Sequence, residues 1–325
     1  MNIRSIKLID KLNKRAKQAK RKCLYKGCNS HAIESHLLQR QGVISEIIES
    51  NHVIELTLDL FKNPPLVFKS IGWKQAFAFP GFCNNHDNDI FQEIEKEDTN
   101  YYKYRSQLLL SYRATMIEKR KKEIMVDFYN RVLGSSTLRT SIVQEYFFDI
   151  EEKKRQQILG ISDENYYENI FLSNIHNEEV EDFEFITFEL PKVEMCSSAV
   201  FTYETTNEIN MIEHFHPEKI NEPLTQIYFN LIPITNSTIV IIGCLKERKE
   251  KCWDYISSFK QNDYKLSYKR ISDLLLNQVE NWIVSKTFYN NYILSRKDEI
   301  IKLVNDSRIN TDERKDLDFN IFYNK

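Results

Sequence analysis

The sequence predicts an α+β fold: a metal-braced unit at the N-terminus, a helical middle, and a C-terminal sheet flanked by helices. Three observations carry that expectation. Two short half-sites, C-x4-C at Cys23 and Cys28 and C-x2-H at Cys83 and His86, offer sulfur and imidazole donors at the spacing a tetrahedral zinc needs. Residues 99–133 keep a helical period, with Leu108, Leu109, Tyr112, Met116 and Ile124 as core candidates. Between residues 183 and 243 lie four runs of β-branched and aromatic residues, 183–190, 199–203, 226–232 and 237–243, which read as an antiparallel or mixed sheet. The expected divisions are a zinc-binding unit at 1–98, a helical connector at 99–165 and an α+β module at 166–325.

The elements follow in order. Ile6, Ile9, Leu12, Ala16 and Ala19 recur at helical spacing, so residues 3–21 form an amphipathic helix with its basic face outward. Gly27, inside the Cys23–Cys28 loop, suits the tight reversal of a metal-binding knuckle, because glycine accepts positive φ. A short helical pattern follows over 37–48, then a strand-like run over 52–61 that Pro64 and Pro65 end. A second extended stretch, 66–79, leads into Cys83, from where the sequence turns helical with Ile90, Phe91 and Ile94 on one face. Cys83 and His86 then fall on the first turn of that helix. Further helices are expected at 138–158, 249–260 and 268–304, and the last twenty residues are polar and expected to be loosely held.

Composition sets bounds on function. With 325 residues, 42% hydrophobic and 28% charged, the chain can bury a sizeable core and is not disordered. The net charge of −2 does not advertise nucleic-acid binding, but the distribution is uneven. Arg4, Lys7, Lys11, Lys14, Arg15, Lys17, Lys20, Arg21 and Lys22 face one acid, Asp10, and a second basic run covers 119–122. Lys14, Arg15, Lys17, Lys20, Arg21, Lys22 and the 119–122 run are the candidate phosphate contacts; a solvated helix face explains the first group equally well. No apolar run reaches membrane-span length and no apolar leader is present, so a cytoplasmic protein without membrane contact is expected. Cys196, Cys244 and Cys252 sit in or beside apolar segments and read as small buried hydrophobes.

A C-x4-C knuckle, a hairpin, and a helix whose first turn supplies two more ligands together resemble the treble-clef zinc finger. The same frame is similar to the ββα-metal unit of HNH endonucleases. That resemblance implies a structural Zn²⁺ and a second, catalytic divalent ion, Mg²⁺ or Mn²⁺. It also implies hydrolysis of phosphodiester bonds in nucleic acid, with an imidazole as base toward water. His36 resembles that base, and Asp87 resembles the ion-binding position on the helix. Ser35 stands where the HNH pattern usually has an acid, and the span from His36 to Cys83 is longer than in the compact motif. A closer likeness is to a poorly characterised bacterial group with the pattern C-x4-C, S-H-x-x-Q, G-F-C-x2-H-D-x2-I-F-x2-I-E. It matches here Ser35-His36 through Gln39 and Gly81 through Glu95, with Gln107 and Tyr112-Arg113 beyond. It adds Gln39, Glu95 and Arg113 as possible supporting residues, and by analogy an anti-phage defence role.

Other readings of the same residues stay open. Ser35 caps a helix, Glu95 and Arg113 form an ion pair between packed helices, or His36 displaces one of the four zinc ligands. At the level of function the alternative to a nuclease is a non-catalytic, zinc-stabilised sensor or adaptor for a protein or nucleic-acid partner, with a homo-oligomer among the arrangements.

Overall fold

The computed structural model describes residues 3–38, 42–59, 62, 65–141, 144–219, 221–307 and 312–323. Its elements in chain order are α1 (Ile3–Lys17), β1 (Glu34–His36), β2 (His52–Leu58), β3 (Leu66–Gly72), β4 (Ala78–Pro80), α2 (Asn84–Phe91), α3 (Tyr104–Leu133), α4 (Ser136–Ser141), α5 (Gln144–His176), β5 (Phe183–Pro191) and β6 (Met195–Thr202). Then come α6 (Thr206–Phe215), β7 (Gln226–Pro233), β8 (Ser237–Leu245), α7 (Lys249–Ser257), α8 (Tyr264–Asn277), β9 (Trp282–Val284), α9 (Lys286–Phe288) and α10 (Lys297–Ser307).

A seven-stranded sheet in the order β3-β2-β9-β6-β7-β8-β5, antiparallel throughout, forms the centre. Its middle strands are apolar on both faces, which is what a sheet covered by helices on each side requires. The alternation along β7 and β8 sorts the side chains into two cores. Tyr228, Ile232, Ile239 and Ile241 pack with Leu108, Tyr112 and Phe171 of α3 and α5. Ile227, Phe229, Leu231, Val240 and Ile242 pack with Cys252, Ile256, Ile271 and Leu275 of α7 and α8. The protein is therefore α+β, with its large sheet flanked by helices, as the four apolar runs indicated. Cys196, Cys244 and Cys252 are fully buried within these two cores.

Several elements differ from expectation, each for a physical reason. The helix expected over 268–304 is interrupted: α8 ends at Asn277, and Trp282–Val284 leaves the helical period to form β9. That short aromatic and β-branched run fills the slot between β2 and β6, where pairing on both sides outweighs helix propensity. The hairpin β2–β3, from the first third of the chain, is thereby joined to the sheet built by the last half. Of the last twenty residues, 308–311 and 324–325 lie outside the described residues, and 312–323 are not loosely held. Leu317, Phe319, Ile321 and Phe322 are buried, and Ser272 Oγ accepts the Ile321 backbone N–H. Arg296 donates to the carbonyls of Asn320, Ile321 and Tyr323. Of the helix expected over 37–48, residues 39–41 lie outside the described residues and the described ones hold a 3-10 turn at Ile44–Ile47, and α5 runs well past its expected end to His176.

A second, two-stranded sheet pairs β1 with β4, antiparallel, with Ser35 opposite Phe79 and His36 opposite Ala78. From β4 the chain passes directly into α2 by way of Gly81, Phe82 and Cys83. A Cβ on Gly81 would sit 2.6 Å from the Phe79 ring and 2.9 Å from Ser35 Oγ, so only glycine fits this crossing. Phe82 is fully buried and meets the rings of Phe91 and Tyr112, which anchors the small sheet and α2 on α3.

Candidate metal centre

The knuckle is built by local hydrogen bonds. The Cys28 N–H reaches the Tyr25 carbonyl at 3.0 Å, closing a turn whose left-handed residue is Gly27, φ 81°. The Cys23 N–H donates to the Ser30 carbonyl at 2.8 Å, and the Leu24 N–H to the Gly81 carbonyl at 3.0 Å. That last bond ties the knuckle to the crossing from β4 into α2. Cys83 is the residue before the first turn of α2, and the Asp87 N–H donates to its carbonyl at 2.9 Å. His86 lies one turn into the helix, on the side of the knuckle.

The four donor atoms of Cys23, Cys28, Cys83 and His86 all lie within 4.8 Å of one another. Cys28 Sγ and Cys83 Sγ are 4.0 Å apart, and His86 Nδ1 is 3.4 Å from Cys23 Sγ and 3.3 Å from Cys83 Sγ. With Zn–S bonds near 2.3 Å and Zn–N near 2.0–2.1 Å, a tetrahedral ion needs edges of about 3.8 Å between sulfurs and about 3.6 Å between sulfur and nitrogen. The edges of 4.0, 3.4 and 3.3 Å lie within a few tenths of an ångström of those values, and the remaining edges stay within 4.8 Å. Two half-sites from distant stretches thus form one group that can hold a metal ion such as zinc. Among the described residues it is the single set of three or more His, Cys, Asp or Glu side chains so gathered.

Burial raises the Cys23 thiol to about 11, whereas the Ser30 backbone N–H and hydroxyl lower that of Cys28. The sulfurs therefore become thiolates most readily when a cation takes the place of their protons. The Tyr25 ring stacks on His86, centroids 4.0 Å apart and 18° from parallel, and its hydroxyl is 3.2 Å from His176 Nε2. This second layer holds the imidazole so that Nδ1 faces the sulfurs. Sequence reasoning missed Tyr25; its position between the two knuckle cysteines was the available signal.

The other expected site residues are distributed as follows. His36 ends β1, half-buried, with Nε2 3.0 Å from the Lys74 carbonyl. A carbonyl only accepts, so Nε2 carries a proton. Asp87, on the first turn of α2, has a buried Oδ1 without a hydrogen-bond partner. His36 and Asp87 do not join a third donor in a further metal-binding group among the described residues. Ser35 caps no helix; it lies in β1 and its Oγ accepts the Phe82 N–H at 3.1 Å. Gln39 lies outside the described residues.

Arg113 is 1% exposed, pairs with Glu95 at 2.6 Å and stacks its guanidinium 4.1 Å above the Phe91 ring. The expected ion pair is present, but Glu95 lies just past the 3-10 turn Gln92–Ile94 that follows α2, and it is the Arg113 stack on Phe91 that braces α2 against α3. Of the basic N-terminal residues, Lys14, Arg15, Lys17, Lys20 and Lys22 are exposed. Arg21 is turned inward, donating to Asp127 at 2.7 Å and to the Ala16 carbonyl at 2.8 Å. The 119–122 run is not a phosphate-facing patch. Lys119 pairs with Glu168 and Lys122 with Glu164, joining α3 to α5, while Arg120 reaches the Lys22 carbonyl. A basic run in a two-sided buried helix must find internal carboxylates, and α5 supplies them.

The fold and this donor set define a class: an α+β protein with a three-cysteine, one-histidine site suited to a metal ion. No family model matches the chain, and no curated protein or solved structure matches it. No helix among the described residues is long and apolar enough to cross a membrane.

Proposed function

We propose that the protein is a metal-dependent nuclease. In this reading zinc occupies the Cys23, Cys28, Cys83 and His86 group as a structural ion, and the β1–β4 pair followed by α2 is an HNH-like frame of the treble-clef kind. One observation carries the catalytic part. His36, at the end of β1, is oriented through Nε2 by the Lys74 carbonyl, beside an open groove lined by Lys74. An oriented neutral imidazole is the group needed to take a proton from water during phosphodiester hydrolysis. The unpartnered Asp87 Oδ1 suits a hard divalent cation, which such sites hold through one or two carboxylates and the substrate's own phosphate. When bound, Mg²⁺ or Mn²⁺ supplies charge stabilisation at the phosphoryl and leaving oxygens. The exposed Lys14, Arg15, Lys17, Lys20 and Lys22 supply phosphate contacts that weaken as salt rises.

The test is cleavage of plasmid, single-stranded DNA and RNA with added Mg²⁺ or Mn²⁺, comparing the intact protein with His36→Ala. Divalent-dependent cutting that disappears in a folded, zinc-replete His36→Ala protein supports the reading. Equal cutting by both proteins, or none by either, refutes it. A second reading, a non-catalytic zinc-stabilised adaptor, is favoured by the convergence of a single donor set among the described residues. Absence of cutting with retained nucleic-acid or protein binding selects it.

A further inference from the structure

Beside His36 lies an open groove of about 650 Å³, lined by Asn51, His52, Gly72, Trp73, Lys74 and Gln75. It sits where the turn before β2 meets the turn after β3, at the end of the hairpin away from Leu58 and Leu66. Its lining is unlike the apolar cores on either side of the sheet: one large aromatic surface, one ammonium, two carboxamides and one imidazole. Trp73 is half-buried, and the Lys74 ammonium stands 5.8 Å from the indole centroid. His52 Nδ1 is held by the Ser50 carbonyl at 2.8 Å.

The backbone around the groove is unusual in the same place. Among the described residues the non-glycine positions with positive φ are Ser50 (50°), Asn51 (63°) and Phe77 (57°). All three border this groove or the strand that carries His36. Asn51 accepts the Trp73 N–H through its carbonyl at 3.0 Å, fixing the turn that presents the indole. Phe77 accepts the Leu37 N–H at 3.1 Å, fixing the backbone just after His36. Left-handed backbone at side-chain-bearing residues persists where the surroundings over-determine it, and such positions cluster at ligand sites. The Lys74 carbonyl that orients His36 belongs to the same turn, so groove and imidazole are one rigid arrangement.

We infer that this groove is a nucleotide subsite for single-stranded nucleic acid, taking one base on the Trp73 indole and the adjoining phosphate on Lys74. The chemistry of the lining matches that ligand. A π-face accepts any base, carboxamides pair with base edges, and a single exposed ammonium meets a phosphate. The inference rests on the nuclease reading only in placing this nucleotide beside the bond that His36 would cut; the binding itself does not require cleavage.

The experiment titrates the full-length protein with fluorescein-labelled twelve-residue oligo(dT) and oligo(U), following anisotropy and intrinsic tryptophan fluorescence. In wild type a bound base quenches Trp73. Trp73→Phe keeps a ring, so it binds within a few-fold of wild type but loses the quench. Trp73→Ala weakens binding by about 10- to 100-fold, the range that loss of one stacked base gives. Lys74→Glu, on an exposed side chain, weakens it and lowers the salt dependence. His36→Gln, which keeps a donor toward the Lys74 carbonyl, binds as wild type does. Trp73→Ala and Lys74→Glu binding as tightly as wild type overturns the subsite, even if cutting is His36-dependent. Trp73-dependent binding without any cutting upholds the subsite and removes the nuclease reading instead. Failure of the wild-type protein to bind either oligonucleotide overturns it outright.

Discussion

Replacing Cys83 by serine separates a metal site from a chance cluster by the sign of its effect. Cys83 precedes the first turn of α2 and makes no side-chain cap hydrogen bond there. Serine is among the best residues at that position, worth about 0.5–2 kcal/mol over a non-capping side chain. Losing the transfer energy of a small buried thiol costs about 1 kcal/mol in the other direction. In a protein without a metal the substitution is therefore within about 1 kcal/mol of neutral. With a bound ion the outcome is different. An ion held at picomolar Kd in the presence of micromolar free zinc stabilises the fold by RT ln([L]/Kd), about 8 kcal/mol. Removing one of four ligands, with a thousandfold loss of affinity, takes away about 4 kcal/mol, a large share of a typical domain's whole stability of about 5–15 kcal/mol. The loss should appear locally first. The ion ties the 23–28 knuckle to α2, and the alternative fastenings are a few backbone hydrogen bonds and the three-residue β1–β4 pair. The assay is metal content by mass spectrometry and thermal unfolding with and without chelator, with Cys28→Ser as companion. Cys252→Ser serves as control, because that buried thiol donates to the Arg248 carbonyl and a hydroxyl there can do the same. A one-to-one metal ratio that falls in both ligand variants and not in the control is the expected result. A Cys83→Ser protein with unchanged metal and unchanged or raised stability refutes the site.

Two further outcomes follow from buried charge. Arg113→Ala leaves a void among Phe91, Glu95 and α3 and should cost about 3 kcal/mol, whereas Arg113→Met should cost less than about 1.5 kcal/mol. The reason is that Glu95, with its side chain 41% exposed, rehydrates once unpaired; denaturant titration measures both, and equal losses would show that the charge itself is required. Asp163 is raised from 3.8 to about 7, first by burial and further by Glu164 and Glu204, with Lys122 opposing. A folded-state value above the unfolded one means stability is full below about pH 4 and declines as pH rises toward 7. Asp163→Asn should therefore raise stability by about 1–2 kcal/mol at pH 8, after discounting for partial exposure, and give no gain at pH 4; a gain independent of pH would contradict the assignment.

The parts of this molecule that were legible in its sequence are those where one local signal decides the outcome. Cys23, Cys28, Cys83 and His86 declare themselves because sulfur and imidazole at short spacing have few structural uses besides coordination. The runs that became β7 and β8 are apolar at both parities, a pattern a strand covered on both faces must have. What escaped depended on partners far away in the chain. Trp282–Val284 is too short to announce a strand, and becomes one because β2 and β6 leave a slot of its length. Leu317, Phe319 and Ile321 look like an isolated polar tail's few apolar residues until Asp273 takes the Leu317 N–H and Arg296 and Ser272 take the backbone of Ile321. The basic run at 119–122 misled for the same reason, since charge alone does not reveal that Glu164 and Glu168 wait on α5.

That contrast bears on the site as well. The four candidate metal ligands could be named from sequence because each half-site is a local signal of the same donor chemistry. The groove beside His36 could not, because it is made by two turns that meet only when β2 and β3 pair. The hairpin lies between β1 and β4 in the chain, so the same insertion that lengthens the interval from His36 to Cys83 also carries the Lys74 carbonyl to the imidazole. Read from sequence, that interval weakened the likeness to a compact metal finger. In three dimensions it is the segment whose last turn sets the Lys74 carbonyl against the end of β1, and it couples the small β1–β4 frame to the sheet at the centre of the protein.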